Sequence, residues 1–361
     1  MAETETDRVE IICEAGVNHN GDLPRALALV DAAAAAGADV VKFQTYRTES
    51  IVTQAAPKAA YQNRNAPETA SQFEMLKALE LDAAAHKALI ARARERGIGF
   101  LSTPFDLPSL RLLTELGLTR LKVSSGDLTN APLLLEMARS GADLILSTGM
   151  ADLAEIGEAL SVLAFGYIGN GQPDRLAFAA AFGSDAGQLA LRQHVTLLHC
   201  TSDYPAQVTD VNLRAMDTLA TAFGLPTGYS DHTIGIEISV AASARGAKVI
   251  EKHMTLDKSL PGPDHKASLE PSEFAAMVAA IRAVSKSLGS TEKKPSAAEM
   301  STRQVARKAI VAAQAIAVGE AFSLENLTTK RAGGGLAPVT LWDLLGARAK
   351  RAYAPDEVIE P

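Results

Sequence analysis

Short apolar runs recur along the chain. Each is followed by polar or glycine residues and then by a longer stretch with apolar residues at helical spacing. Eight runs read as β-strands: residues 9–13, 39–43, 98–101, 120–123, 144–146, 195–200, 225–229 and 248–253. They are apolar almost without interruption, the pattern of parallel strands covered on both faces. The stretches between them carry helix signals. Asp22 can cap a helix that has Pro24 in its first turn and ends at Gly37. Pro108 or Ser109 is read as opening a helix around 110–116, and Glu270-Pro271-Ser272 as opening another with Phe274, Met277, Val278 and Ile281 on one face. Strands alternating with helices imply βαβ units. Eight units in about 285 residues predict an α/β fold, a (β/α)8 TIM barrel, over residues 1–288. A doubly wound open sheet is the alternative, but Gly16 and Gly21 lack the G-x-G-x-x-G spacing after the first run.

Two connections are too long to be simple turns. Residues 46–71 are polar and follow the second strand, so a lid over the barrel mouth is expected there. Residues 164–194, rich in glycine, precede the sixth strand and so belong to the opposite face, as a peripheral or oligomer-contact element. Residues 289–302 are rich in Ser, Lys and Glu with Pro295 and read as a linker. From 303 to 361 the texture changes to short strand-like runs and turns at Gly319 and 333–335, a separate small β-rich domain.

Charge and composition narrow the function. A net charge of −7, with no Lys/Arg run, argues against nucleic-acid binding. No apolar segment is long enough for a membrane span, and the first residues lack the apolar stretch of a secretory leader. Cys13 and Cys200, each inside an apolar run, cannot build a disulfide framework, and a reducing cytoplasm is expected.

Polar residues gather where the strands end, the part of a barrel that carries function. Lys42 and Gln44 share one face of the second strand. Lys42 and Lys122, with the hydroxyls of Thr103, Ser125, Ser147 and Ser230, could hold a substrate bearing phosphate and carboxylate. His232 and His253 end adjacent strands and suit a divalent metal with open positions. Glu14 is a candidate base or charge stabiliser, and Asp127 and Asp264 could bind sugar hydroxyls. His19 and His265 fall in loops of the same face, His199 reads as an interior residue and His86 as a helix-surface one. These residues point to a metal-assisted barrel acting on a small phosphorylated or carboxylated molecule. A Schiff-base aldolase using Lys42 or Lys122 is a rival of another class, and a carbohydrate-binding protein a third.

Taken together, the segments C-E-A-G-V-N-H-N-G-D (13–22), V-K-F-Q (41–44), S-T-P-F-D (102–106), L-K-V-S-S-G-D (121–127), L-H-C-T-S-D-Y-P-A (198–206), G-Y-S-D-H-T-I-G (228–235) and L-P-G-P-D-H-K-A-S-L-E-P (260–271) resemble the sialic acid synthase family. A-R-K-A-I-V-A (306–312) and K-R-A-G-G-G (330–335) resemble its C-terminal antifreeze-like (SAF) domain. The resemblance implies a phosphoenolpyruvate-dependent nonulosonate synthase, a carbon–carbon-forming transferase. It implies phosphoenolpyruvate contacts at Lys42, Thr103, Lys122, Ser125, Ser147, Ser202 and Ser230, and sugar contacts at Gln44, Asp127, Tyr204 and Asp264. It further implies metal ligation, by Mn or Mg, at His232 and His253, and a catalytic carboxylate at Glu14. Arg331 would reach the other subunit's sugar site in a domain-swapped homodimer. Ser202, at a position where some N-acetylneuraminate synthases have asparagine, and its surrounding motif look closer to the legionaminate branch. The sugar substrate of that branch is 2,4-diacetamido-2,4,6-trideoxymannose; N-acetylmannosamine and the pseudaminate precursor are the alternatives. Pro355-Asp356 stands where the antifreeze-like fold often has glycine, so an irregular last strand is expected.

Overall fold

The computed structural model describes residues 8–65, 67, 71–169 and 171–360. The chain falls into two compact units, Met1–Gly289 and Ser290–Pro361. The first is built on eight parallel strands: β1 (Glu10–Gly16), β2 (Val40–Thr45), β3 (Gly99–Pro104), β4 (Arg120–Val123), β5 (Asp143–Ser147), β6 (Val195–Cys200), β7 (Thr227–Asp231) and β8 (Val249–His253). They pair in the order β3-β2-β1-β8-β7-β6-β5-β4, and β3 and β4 pack side by side to bring the sheet round into a barrel.

The period of two sorts each strand into an outward and an inward row. Outward residues pack against helices in two large apolar clusters around Ile11, Val41, Phe43 and Ile250 and around Leu121, Val123, Leu146 and Leu197. Inward residues form layers. At the bottom Arg120 donates two hydrogen bonds of 2.6 Å to the Glu10 carboxylate. Above it Ile12, Val40, Leu101, Ile145, Leu198 and Val249 fill the interior as one apolar plug. Each aliphatic side chain buried in this way stabilises the fold by roughly 1.5–3 kcal/mol. Two residues further along the same strands come Glu14, Lys42, Thr103, Ser147, Cys200 and Glu251, so the next layer is polar.

That layering explains where the strands really end. β1, β2, β3 and β7 extend to Gly16, Thr45, Pro104 and Asp231, beyond the runs visible as apolar. Glu14, Gln44, Thr103 and Ser230 therefore lie on the strands themselves. An apolarity criterion stops early because the upper barrel is lined with polar groups.

Several connections differ from expectation. Asp106, not Pro108 or Ser109, caps the helix Leu107–Glu115, accepting from Ser109 N–H; the same carboxylate also accepts from Arg47 N–H. His86 is fully buried and not on a helix surface. One ring nitrogen lies 2.7 Å from Thr45 Oγ1, which is itself 2.7 Å from Ser102 Oγ, so the imidazole ties its helix to β2 and β3. Residues 164–168 complete the helix Leu153–Ile168, and the helices Arg175–Phe182 and Asp185–His194 fill the rest of that connection. The 46–71 region carries the short helices Thr48–Ile51 and Ala60–Asn65, followed by Gln72–Leu79. No described helix is long and apolar enough to cross a membrane.

In the second unit, residues 297–306 form a helix opened by a Ser296–Glu299 capping box, so 297–302, placed by composition in a linker, are helical. β9 (Lys308–Ala312) and β10 (Leu327–Arg331) pair antiparallel over a small core of Ile310, Ile316, Phe322, Leu327, Tyr353 and Ile359. Asp356 sits at φ +69°, in the region that favours glycine, and the chain after it joins β9 through a single bridge, Val311 to Val358. The irregular end expected from Pro355-Asp356 is present.

Candidate active site

A cavity of about 770 Å³ opens at the C-terminal ends of the strands. Glu14, Lys42, Gln44, Thr103, Lys122, Ser125, Asp127, Ser147, Ser202, Tyr204, Ser230, His232, His253 and Asp264 all line it. Arg331 lies in the second unit, exposed at the end of β10.

The charged layer is the floor of this cavity. Register places Glu14 beside both Lys42 and His253, and Ser230 beside Glu251. Lys42 forms an ion pair with the Glu14 carboxylate, and its Nζ lies 3.6 Å from Glu251 Oε2 and donates to Thr103 Oγ1 at 3.4 Å. Lys122 Nζ donates to Ser147 Oγ at 2.6 Å and to Val123 O at 3.1 Å, and lies 3.8 Å from Glu251 Oε1. Ser230 Oγ donates to the same Glu251 oxygen at 2.8 Å.

The four charges are not equivalent. Burial pushes the Glu14 carboxyl up, Lys42 opposes this, and the nearby Glu251 charge adds to it. Burial also works against Glu251, but Lys122 and Lys42 outweigh it and hold that carboxyl below its ordinary range. Lys42 is raised, since its two carboxylate neighbours overcome burial, whereas burial lowers Lys122. Glu251 is thus the fixed anion between two ammonium groups, and Glu14 is the carboxyl closest to exchanging a proton. Sequence reasoning expected a single glutamate here and gave Glu251 no role. Its place two residues before His253 on one strand was the signal available.

His232 and His253 face each other with ring centroids 5.5 Å apart, and the Tyr204 ring lies 4.1 Å from His232 and 5.6 Å from His253. His232 Nδ1–H donates to Thr201 O at 2.7 Å, which fixes the tautomer and leaves Nε2 as the lone-pair nitrogen. His253 Nδ1 is buried without a hydrogen bond, and Asp264 Oδ2 stands 3.9 Å from it. Burial holds both rings neutral, lowering His232 to about 4 and His253 well below its ordinary value. Two neutral imidazoles, His253 Nδ1 unpartnered and His232 Nε2 in contact only with Ser230 Oγ at 3.4 Å, fit a divalent cation. Among the described residues no group of three His, Cys, Asp or Glu side chains is placed to hold one.

The surroundings hold these groups in place. Between the inward residues of β7 and β8, the outward Asp231 and Lys252 form a fully buried ion pair at 3.0 Å. Asp231 also accepts from Thr233 and Ser239, so both strand ends are anchored. At Gly16, φ is +50° and a Cβ would lie 3.1 Å from Glu14 Oε1, so only glycine leaves the carboxylate its room. Toward the mouth, Gln44 Nε2 donates to Glu14 Oε1 at 3.5 Å, and Asn130 Nδ2 to Asp127 at 3.0 Å. Burial raises Asp264 to about 6. From the connection after β2, Asn65 Nδ2 donates to Pro263 O at 2.7 Å and to Tyr204 O at 3.4 Å, so this residue of the lid expected over 46–71 reaches the mouth; residues 66 and 68–70 of that range lie outside the described ones.

Fold and site together define a class: a parallel barrel enzyme whose mouth pairs two buried lysines with two carboxylates and two neutral imidazoles. The chain belongs to the NeuB family, whose match covers residues 29–293, and a SAF domain match follows over 307–361. It is 48% identical to the N,N′-diacetyllegionaminic acid synthase of Campylobacter jejuni, over 97% of this chain and 98% of that one. The N,N′-diacetyllegionaminic acid synthase of Legionella pneumophila is 47% identical, over 94% and 89%. Among solved structures, the N-acetylneuraminic acid synthetase of Leptospira borgpetersenii in complex with citrate superposes with a TM-score of 0.66 at 35% identity, over 83% and 92%.

Proposed function

We propose that this chain condenses phosphoenolpyruvate with open-chain 2,4-diacetamido-2,4,6-trideoxymannose to give N,N′-diacetyllegionaminate and phosphate. The observation that carries this is the convergence of Lys42, Lys122, Glu14, Glu251 and the two neutral imidazoles on one cavity. The Campylobacter and Legionella relatives support the choice of sugar. Lys122 with Ser147, Ser125, Ser202 and Ser230, and Lys42 with Thr103, bind the phosphate and carboxylate. Gln44, Asp127, Tyr204 and Asp264 bind the sugar. His232 and His253 would hold Mn or Mg, which when bound supplies Lewis-acid polarisation of the sugar aldehyde.

Carbon 3 of the enol ester attacks the aldehyde carbon, and the carbonyl oxygen gains a proton to become a hydroxyl. The cationic character left at carbon 2 forms beside Glu14, whose carboxylate stabilises it and takes the proton of the water that adds there. The C–O bond to phosphate then breaks, the carbon-2 hydroxyl gives its proton to the departing phosphate, and the 2-keto acid remains. Lys42, paired to Glu14, orients that carboxylate, and Glu251 keeps both ammonium groups charged and aimed at the anion.

Turnover of the candidate sugars with phosphoenolpyruvate and Mn, read by phosphate release and product mass, tests this. In ¹⁸O-water the label should enter the sugar acid and not the phosphate. Label in the phosphate, or no turnover of any of these sugars, sinks the proposal. We further propose that Arg331 completes the site of a second subunit in a domain-swapped homodimer. A chain truncated after residue 299 mixed with full-length His232→Ala should then regain activity, and no rescue counts against the swap.

A further inference from the structure

The cavity has two chemically different ends. Its floor is the charged layer. Its roof, formed by described residues after β2 and by Phe105, is mostly apolar: Ile51, Val52, Met75, Leu76 and Leu79 line the same cavity, with the Ser50 hydroxyl beside them. All but Val52 pack as one cluster with Val17 and Tyr46. Tyr46 spends its hydroxyl on Leu76 O at 3.1 Å, so it offers the cavity no free donor there. Gln62 and Gln72 bond to each other at the polar edge of the roof.

We propose that this roof is the selectivity surface for the far end of the sugar, taking a methyl terminus and rejecting a hydroxymethyl one. The inference rests on the proposed function and adds the part of the site that reads carbon 6. With the aldehyde beside His232 and His253 and phosphoenolpyruvate on the two lysines, the charged floor is occupied, and the apolar residues of the same cavity are left for the far end of the sugar. A methyl group there displaces water from apolar wall. A hydroxyl against the same apolar side chains gives up water partners that they cannot replace. A pocket of this kind discriminates by about 10–100-fold in kcat/KM.

The test uses a matched pair that differs only at carbon 6, N-acetylmannosamine and its 6-deoxy analogue, at saturating phosphoenolpyruvate. The full-length protein should favour the 6-deoxy sugar by about 10–100-fold. Val52→Thr, close to isosteric, and Leu76→Gln should each move the ratio toward one while leaving the KM for phosphoenolpyruvate unchanged. A ratio near one in the unaltered protein overturns the inference. So does a ratio unmoved in Val52→Thr, the variant least able to disturb folding. Failure of every sugar to react with phosphoenolpyruvate would instead remove the proposed function, a distinguishable result.

Discussion

Gly149 offers a substitution that separates the fold from the site. A Cβ at this position would lie 2.3 Å from Ser202 Oγ, 2.9 Å from Cys200 Sγ and 2.9 Å from Ser125 Oγ. Ordinary contact begins near 3.4 Å, so Gly149→Ala forces Ser202 to move by about 1 Å and its two neighbours by about half that. All three obstacles are the free ends of short side chains, so rotation relieves the clash. Overpacking that is relieved this way costs about 1–2 kcal/mol, a drop of only a few degrees in Tm for a domain of this size. Two of the three displaced atoms are, however, hydroxyls proposed to hold phosphoenolpyruvate. Ser125 Oγ also accepts from Gly149 N–H at 3.0 Å, so its rotation breaks that bond too. A 1 Å misplacement of a positioning group costs about 10²-fold in rate. Steady-state kinetics of Gly149→Ala should show kcat/KM for phosphoenolpyruvate down by about 30–100-fold, with far less change in the KM of the sugar. Adding Ser202→Gly removes the closest obstacle and should recover part of the loss, a coupling read by a double-mutant cycle. Unchanged phosphoenolpyruvate kinetics in Gly149→Ala, or no coupling to Ser202, would refute this reasoning.

Three further outcomes are expected. Lys252→Met leaves the Asp231 carboxylate buried without its cation and should lower unfolding free energy by about 3–5 kcal/mol; Asp231→Asn in the same chain should restore part of it in denaturant titrations, and equal losses would show that the pair is not coupled. EDTA should abolish turnover while phosphoenolpyruvate binding by calorimetry persists, Mn should restore it, and borohydride with the substrates should trap no lysine adduct; a trapped adduct would favour the aldolase reading. Burial lowers His19 from 6.5 to about 4 while its Nδ1 accepts from Gly21 N–H. The unfolded chain therefore takes up this proton first, so the stability is present above pH 6.5 and lost as pH falls toward 4, about 3 kcal/mol in all. His19→Gln should flatten the denaturation midpoint against pH in that window, and an unchanged slope would exclude His19 as the cause.

How much of this was legible beforehand depends on whether the determinant is local. Eight buried parallel strands were readable because the doubly covered lower part of each must be apolar, and the helix caps at Asp22 and Glu270 are set by near neighbours. The candidate residues were readable because polar groups that interrupt apolar strands at their ends need a reason to be there. What the local pattern missed were partners far apart in the chain. Glu251 gains its role only from Lys42 and Lys122, which belong to strands on other sides of the barrel. His86 looked solvated on its helix, yet strands from elsewhere bury it against Thr45 and Ser102. The amino-acid order by itself determined which faces of each strand and helix are apolar, hence the barrel and the level at which its polar layer begins. Tertiary structure alone decided which charges neutralise each other, which imidazoles stay unprotonated, and that the second connection lays an apolar roof over a charged floor. Those properties are set by distance and desolvation across the closed sheet, and neither is fixed by separation along the chain.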